Sequence, residues 1–161
     1  GDTHVDPATL GQQMGSETVA AKRLTYRHGS RALHVAERVR ERPREACTVC
    51  VCEPVTEAEV RHVIRHEWAR SVADVSRRTR LGLGACGGMR CAARCGQIVA
   101  QELGLSPQDG LKQAARFLVK QSQTRSVALG PDQARQEALA IAAVRSELGM
   151  EAGSEGKGDA S

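Results

Sequence analysis

The sequence predicts a mostly α-helical fold, and three observations carry that prediction. Helix-start signals recur along the chain: Thr56 and Glu59 have the spacing of a capping box, Ser71 precedes Asp74 by three positions, and Ser106 stands before Pro107. The residues after these signals show helical apolar spacing, with Val60, Val63 and Ile64 in one segment and Ile98, Val99 and Leu103 in another. Strand signals are scarce, confined to a short stretch around Cys47 to Cys52.

Taken in order, residues 1–16 combine glycine, proline and polar residues without periodicity and read as a flexible leader. Residues 17–43 form a helical segment broken at His28-Gly29-Ser30. Ser30 is placed to cap a helix over Arg31–Arg40, with Ala32, Val35, Ala36 and Val39 on one face, and Pro43 ends it. Residues 44–104 form the next unit. An irregular or β-like stretch leads to the Thr56 cap, then to a helix with Val60, Val63, Ile64 and Trp68 on one side. Ser71 caps a short helix to about Thr79, which makes a helix-turn-helix-like pair. A glycine-rich loop, Leu81 to Met89, follows, then a helix from Arg90 to Leu103 stopped by Gly104. Residues 105–150 hold the C-terminal helices: one from Pro107 to about Lys120, a linker over 122–130, and an amphipathic helix from Asp132 to Leu148. Residues 151–161, rich in Gly, Ser and acidic side chains, read as a disordered tail.

Composition narrows the function classes. Lys and Arg number 23 against 19 Asp and Glu, a net charge of +4 without the dense basic stripe of a nucleic-acid binder. With one Phe, one Trp and one Tyr there is little to stack on bases. No stretch approaches the roughly 20 apolar residues of a membrane span, and no secretory signal is visible. The expectation is no nucleic acid, no direct membrane span and a cytoplasmic, reducing setting, peripheral on the inner membrane face at most. The start at Gly1 rather than Met points to a fragment of a longer protein.

Six cysteines fall in two tight groups, Cys47/Cys50/Cys52 and Cys86/Cys91, with Cys95 one helical turn beyond. Disulfide frameworks spread along a chain; clustered thiols in a reducing compartment bind metals. Cys50 and Cys52 make a C-x-C pair and Cys86 and Cys91 a C-x4-C pair, with 33 residues between Cys52 and Cys86, enough for two helices and a turn. Four thiolates from two loops suit a [2Fe–2S] cluster. The glycines around Cys86 would let backbone N–H groups approach the sulfurs, and Arg80, Arg90 and Arg94 would offset negative charge. Spacing also leaves open a structural zinc site at Cys47/Cys50 plus Cys91/Cys95, hence a zinc-stabilised helical module for protein or DNA.

The C-x-C and C-x4-C arrangement of Cys50, Cys52, Cys86 and Cys91 resembles the bacterioferritin-associated-ferredoxin-like [2Fe–2S] domain. That resemblance implies these four residues as cluster ligands, within a small helix-turn-helix-like domain flanked by additional helices. Leu24 to Ala32 is similar to the C-terminal helical cap of FAD-dependent glycerol-3-phosphate dehydrogenases. Cys52 to Glu59, Arg77 to Cys91 and the segments from Leu105 to Gln136 are similar to the cluster-bearing C-terminal region of the large subunit in the anaerobic glycerol-3-phosphate dehydrogenases. The resemblance implies an FAD enzyme that oxidises sn-glycerol 3-phosphate and passes electrons through iron–sulfur centres toward quinone. It also implies a flavin-containing dehydrogenase domain and membrane-anchoring electron-transfer subunits as partners. The FAD domain of that family is not in this sequence, so the residues present are expected to carry the relay alone and not the catalysis.

Other motifs are weaker. Gly82 to Gly87 matches G-x-G-x-x-G but follows a polar, helical segment rather than a strand. Arg61, Arg65, Arg70, Arg77, Arg78 and Arg80 give the helix-turn-helix-like pair a basic look, read as a solvated face or partner surface, because its second helix starts without base-reading side chains. His62 and His66 have i, i+4 ligand spacing without an H-E-x-x-H context and are expected at the surface. His28 is expected to be structural.

Overall fold

The computed structural model describes residues 19–147 together with Gly149. The expected leader at 1–16 and tail at 151–161 lie outside the described residues. Seven α-helices, α1 (Val19–His28), α2 (Ala32–Glu41), α3 (Glu57–His66), α4 (Val72–Thr79), α5 (Ala92–Leu103), α6 (Pro107–Ser126) and α7 (Pro131–Glu147), account for most of these residues. One antiparallel pair, β1 (Thr48–Cys50) and β2 (Val55–Thr56), joins Thr48 to Thr56 and Cys50 to Val55. The mostly α expectation holds.

The break between α1 and α2 falls where expected, at Gly29, whose φ of 54° suits glycine. Ser30 does not cap α2. A single 3₁₀ turn, Gly29–Arg31, feeds directly into the helix, and Gly29 O accepts the Ala32 N–H that a cap residue would otherwise serve. The apolar face of α2 is as expected, with Ala32, Val35 and Ala36 buried.

The capping box at α3 is complete. Thr56 Oγ1 accepts from Glu59 N at 3.3 Å, and Glu59 Oε2 accepts from Thr56 N at 2.8 Å. The other oxygen, Oε1, receives Arg27 Nη1 at 2.5 Å and stands 3.3 Å from His28 Nε2. One buried carboxylate thus starts α3 and fastens α1 to it. Val60, Val63 and Ile64 face the core. Trp68 does not join them. The chain leaves α3 at Glu67 and turns through a positive φ of 57° at Trp68, which puts the indole outside, 77% exposed and 5.4 Å from Arg70. Ala69 is buried instead, its N–H donating to Val63 O at 3.1 Å.

Ser71 caps α4 by accepting from Asp74 N, and Gly104, at a φ of 65°, ends α5 in the left-handed region as expected. Ser106 caps α6 with Pro107 in the first turn. That helix does not stop near Lys120 but runs to Ser126. Nothing between Lys120 and Ser126 breaks the helix, and Thr124 Oγ1 folds back onto Lys120 O at 2.9 Å without interrupting it. The expected linker shrinks to the turn before Pro131. In α7 only Ile141 is buried, so its apolar stripe is narrower than its alanines suggest.

The main core joins β1 and β2 with α3, α4, α5 and α6 through Val55, Val63, Val72, Val75, Leu81, Ile98, Val99, Phe117 and Leu118; a second gathers Ala21, Leu24, Ala32, Val35, Ala36 and Ala58. Helices α5 and α6 cross closely at Gly96 and Gly110. A Cβ on Gly96 would overlap the Gly110 carbonyl oxygen. Among the described residues no helix is long and apolar enough to cross a membrane.

Candidate metal centre

Two loops bring the sulfurs together. Cys50 ends β1, and the turn to β2 carries Cys52, so the C-x-C pair sits at a hairpin tip with Cys50 buried and Cys52 exposed. The second loop, 81–91, follows α4, which ends at Arg80 in the left-handed region. Consecutive tight turns shape it: Gly87 N donates to Gly84 O, Met89 N to Cys86 O, and Cys91 N to Gly88 O. Gly82 and Gly88, at φ of 81° and 89°, lie under the Phe117 ring, where a Cβ on either would come within 2.7 Å of a ring carbon. A Cβ on Gly84 would overlap Cys52 Cβ. The glycines therefore let the second loop lie flat against both Phe117 and the hairpin tip.

The Cys52 and Cys86 sulfurs are 3.6 Å apart. Cys91, buried, has its sulfur 3.7 Å from Gly88 O and lies beside the buried Cys50 thiol. Each pair takes one sulfur from each loop. Cys95 is buried one turn along α5, next to Cys50. Cys47 stands apart, its sulfur donating to Glu57 Oε2 at 3.5 Å. No three His, Cys, Asp or Glu side chains among the described residues surround one point as ligands of a single ion would.

The electrostatics differ across the group. Burial works against the Cys86 thiolate, but the Arg90 and Gly88 backbone N–H groups, the Cys52 thiol and the Arg90 charge outweigh it and lower its pKa. Burial first, then the neighbouring Cys50, Cys86 and Cys95 sulfurs, push the Cys91 thiol far up. Burial, with Cys50 nearby, pushes Cys95 to about 12. Partial burial and the Glu57 carboxylate raise Cys47. A cation bound among the sulfurs would favour the Cys91 thiolate.

The arginines divide differently from the sequence expectation. Arg80 pairs with Glu53 at 3.1 Å and Arg94 with Glu57 at 2.9 Å; Arg90 is the cation that acts on Cys86. Much of the basic look of α3 and α4 is neutralised within the chain: Arg61 pairs with Glu57 and Glu102, Arg65 with Glu102, and Arg77 with Asp74. Two supports escaped sequence reading. Phe117 covers the loop, and Arg125, from the end of α6, donates Nη2 to Ala85 O at 3.0 Å. The unbroken helical propensity past Lys120 was the one signal that would have brought Arg125 within reach.

His62 is not at the surface as expected. It is buried against His28, with ring centroids 5.8 Å apart, and also neighbours His34 and His66. The helical turn between His62 and His66 straddles the boundary where α2 packs on α3, so only His66 remains exposed. His28, buried on Glu59, is structural as expected.

Residues 3–110 match the family described as the C-terminal domain of alpha-glycerophosphate oxidase. The chain belongs to this family. Among curated relatives of this family member, an anaerobic glycerol-3-phosphate dehydrogenase subunit of Haemophilus influenzae is 33% identical over 93 residues, 58% of this chain and 16% of that protein. The Escherichia coli protein of the same name is 29% identical over 126 residues, 72% of this chain and 23% of its own length. A glycerol 3-phosphate dehydrogenase of Caloramator mitchellensis is 41% identical over 70 residues, 43% of this chain and 15% of that protein. The chain spans less than a quarter of the length of these relatives. No solved structure matches it.

Proposed function

We propose that this chain is the electron-relay region of an FAD-dependent, anaerobic-type glycerol-3-phosphate dehydrogenase, with Cys50, Cys52, Cys86 and Cys91 holding a [2Fe–2S] cluster. The observation that carries this reading is the pairing of Cys52 with Cys86 at 3.6 Å. Two thiolates on one tetrahedral metal, with metal–sulfur bonds of about 2.3 Å, stand about 3.8 Å apart. A binuclear centre takes its four thiolates as two pairs, so it does not require three ligands around one ion. The second pair, Cys50 with Cys91, is buried beside the first. Similarity to the matching subunits of anaerobic glycerol-3-phosphate dehydrogenases supports the same reading.

When bound, such a cluster accepts and gives up one electron at a time. The protein's part is to hold it and set its surroundings. The Gly88 and Arg90 N–H groups stabilise the Cys86 thiolate, Phe117 shields the loop from one side, and Arg125 fixes the Ala85 carbonyl. In this proposal residues 44–104 are the cluster-binding unit, 17–43 the cap-like segment and 105–150 the C-terminal helices that back the loop. The flavin-containing dehydrogenase domain supplies electrons, and membrane-anchoring electron-transfer subunits receive them. The zinc set of Cys47, Cys50, Cys91 and Cys95 gains no support, because Cys47 is engaged by Glu57.

Anaerobic purification tests the proposal. The expected product is brown, with visible charge-transfer absorbance and an electron paramagnetic resonance signal from an S = 1/2 centre on one-electron reduction. A colourless protein that binds only zinc after iron–sulfide reconstitution contradicts it.

A further inference from the structure

We infer that the exposed edge of the cysteine site docks an acidic one-electron carrier protein, held by a basic hollow beside Cys52. The inference rests on the reading of the four cysteines as cluster ligands. Of those four, Cys52 is the exposed one and Cys86 is half-buried, whereas Cys50 and Cys91 are buried. Electron transfer weakens steeply with distance, so a carrier must approach from the Cys52–Cys86 edge. The residues flanking that edge suit the centre of a contact: Val51 is 63% exposed and Leu83 50%, unusual positions for branched apolar side chains beside a glycine-rich loop.

Charge selects the kind of carrier. Lys22, Arg23, Tyr26, Arg27, Glu53, Pro54 and Arg80 line, with Cys52, a hollow of about 370 Å³. Arg27 is neutralised by Glu59, and Arg80 by Glu53. Lys22 and Arg23 are exposed on α1, and neither pairs with a carboxylate among the described residues. Arg90 adds a third exposed cation beside Cys86. Among the described side chains, the rim that this hollow forms beside Cys52 is therefore net positive, set against the negative charge that a four-thiolate cluster would bring. An acidic surface is drawn to such a rim and oriented by it, and a basic one is repelled. Tyr26, 84% exposed at the mouth of the hollow, gives the partner an aromatic surface to pack on.

The test uses the reconstituted full chain, reduced, mixed in stopped flow with two probe proteins: an acidic flavodoxin and a basic cytochrome c. The doubly substituted Lys22→Glu/Arg23→Glu protein is compared with the parent. At low salt the charge reversal is expected to slow transfer to the flavodoxin by about tenfold and to speed transfer to the cytochrome, and both differences should collapse near 0.5 M salt, roughly, where screening is nearly complete. A changed cluster potential would move both rates through driving force independently of salt. Rates that are unchanged, or that shift alike for both probes, overturn the inference while leaving the cluster reading intact. A parent protein that takes up no iron and sulfide overturns both. A dimer that the double substitution dissociates assigns the face to a second copy and also overturns the inference.

Discussion

Cys52 and Cys86 are 34 positions apart in sequence and 3.6 Å apart at sulfur, and the approach depends on Gly84, which has no room for a Cβ beside Cys52. The φ of Gly84 is not in the left-handed region, so alanine there is excluded by contact and not by backbone strain. Gly84→Ala is expected to push the two loops apart, lower bound iron and sulfide several-fold, and destabilise the metal-free protein by about 1–3 kcal/mol, as overpacking does. Metal analysis and urea unfolding of the variant check both effects.

Phe117 is expected to matter twice, as core and as cover. Its buried ring contacts Gly82 and Gly88 from α6. Phe117→Ala should cost about 3–5 kcal/mol in urea unfolding of the metal-free protein. It should also speed loss of iron to a chelator, because the loop loses the surface it rests on. A variant with normal stability would show that the Phe117 ring adds little to the main core.

Glu59 and Thr56 separate capping from fastening. Thr56→Ala removes one cap contact and should cost about 1 kcal/mol. Glu59→Gln retains much of the cap geometry but leaves the Arg27 guanidinium, 6% exposed, without its charge partner. Its expected cost is larger, about 3–5 kcal/mol. Equal costs for the two variants in thermal or urea unfolding would mean that the α1–α3 ion pair adds nothing.

Stability should fall on mild acidification, and His62 is the reason. Burial first, then the nearby His28, His66, His34 and Arg31, lower its pKa from 6.5 to about 4. Between those two values the unfolded chain binds a proton at this histidine that the folded protein refuses. Stability therefore rises with pH across that window and is lost as pH falls through it. The lowered carboxylates Glu57, Glu59 and Glu102 begin to lose their contributions as pH approaches their ordinary value of 4.5, so the interval from about pH 6.5 to about 5.5 reports mainly the histidine. Urea unfolding should show a loss of about 1 kcal/mol over that interval, much reduced in His62→Gln.

Features that depend on neighbours in sequence were legible from the residues alone. The Thr56 and Ser71 caps, the Gly104 stop and the Cys50/Cys52 and Cys86/Cys91 spacings all express short-range chemistry, and the first three stand in the structure as read. Features set by tertiary contact were not. His62 looks like any helical surface histidine until α2 covers it. Trp68 has the spacing of a core residue, but the left-handed turn at its own position removes it. Phe117 and Arg125 meet the cysteine loop from about thirty to forty positions away, with no local pattern to mark them. The carboxylates that absorb Arg61, Arg65 and Arg80 include Glu102 on α5 and Glu53 in the β1–β2 turn, both far along the chain, so a basic stripe in sequence becomes a set of ion pairs in space.

The most direct measurement is iron and acid-labile sulfide content across six single Cys→Ala variants, reconstituted and purified anaerobically alongside the parent. The parent should hold about two of each per chain, the composition of a [2Fe–2S] centre. Replacing Cys50, Cys52, Cys86 or Cys91 should abolish or largely deplete both, while Cys47→Ala and Cys95→Ala should retain them. Full retention after loss of any of the four, or depletion caused by Cys47→Ala, would contradict the assignment.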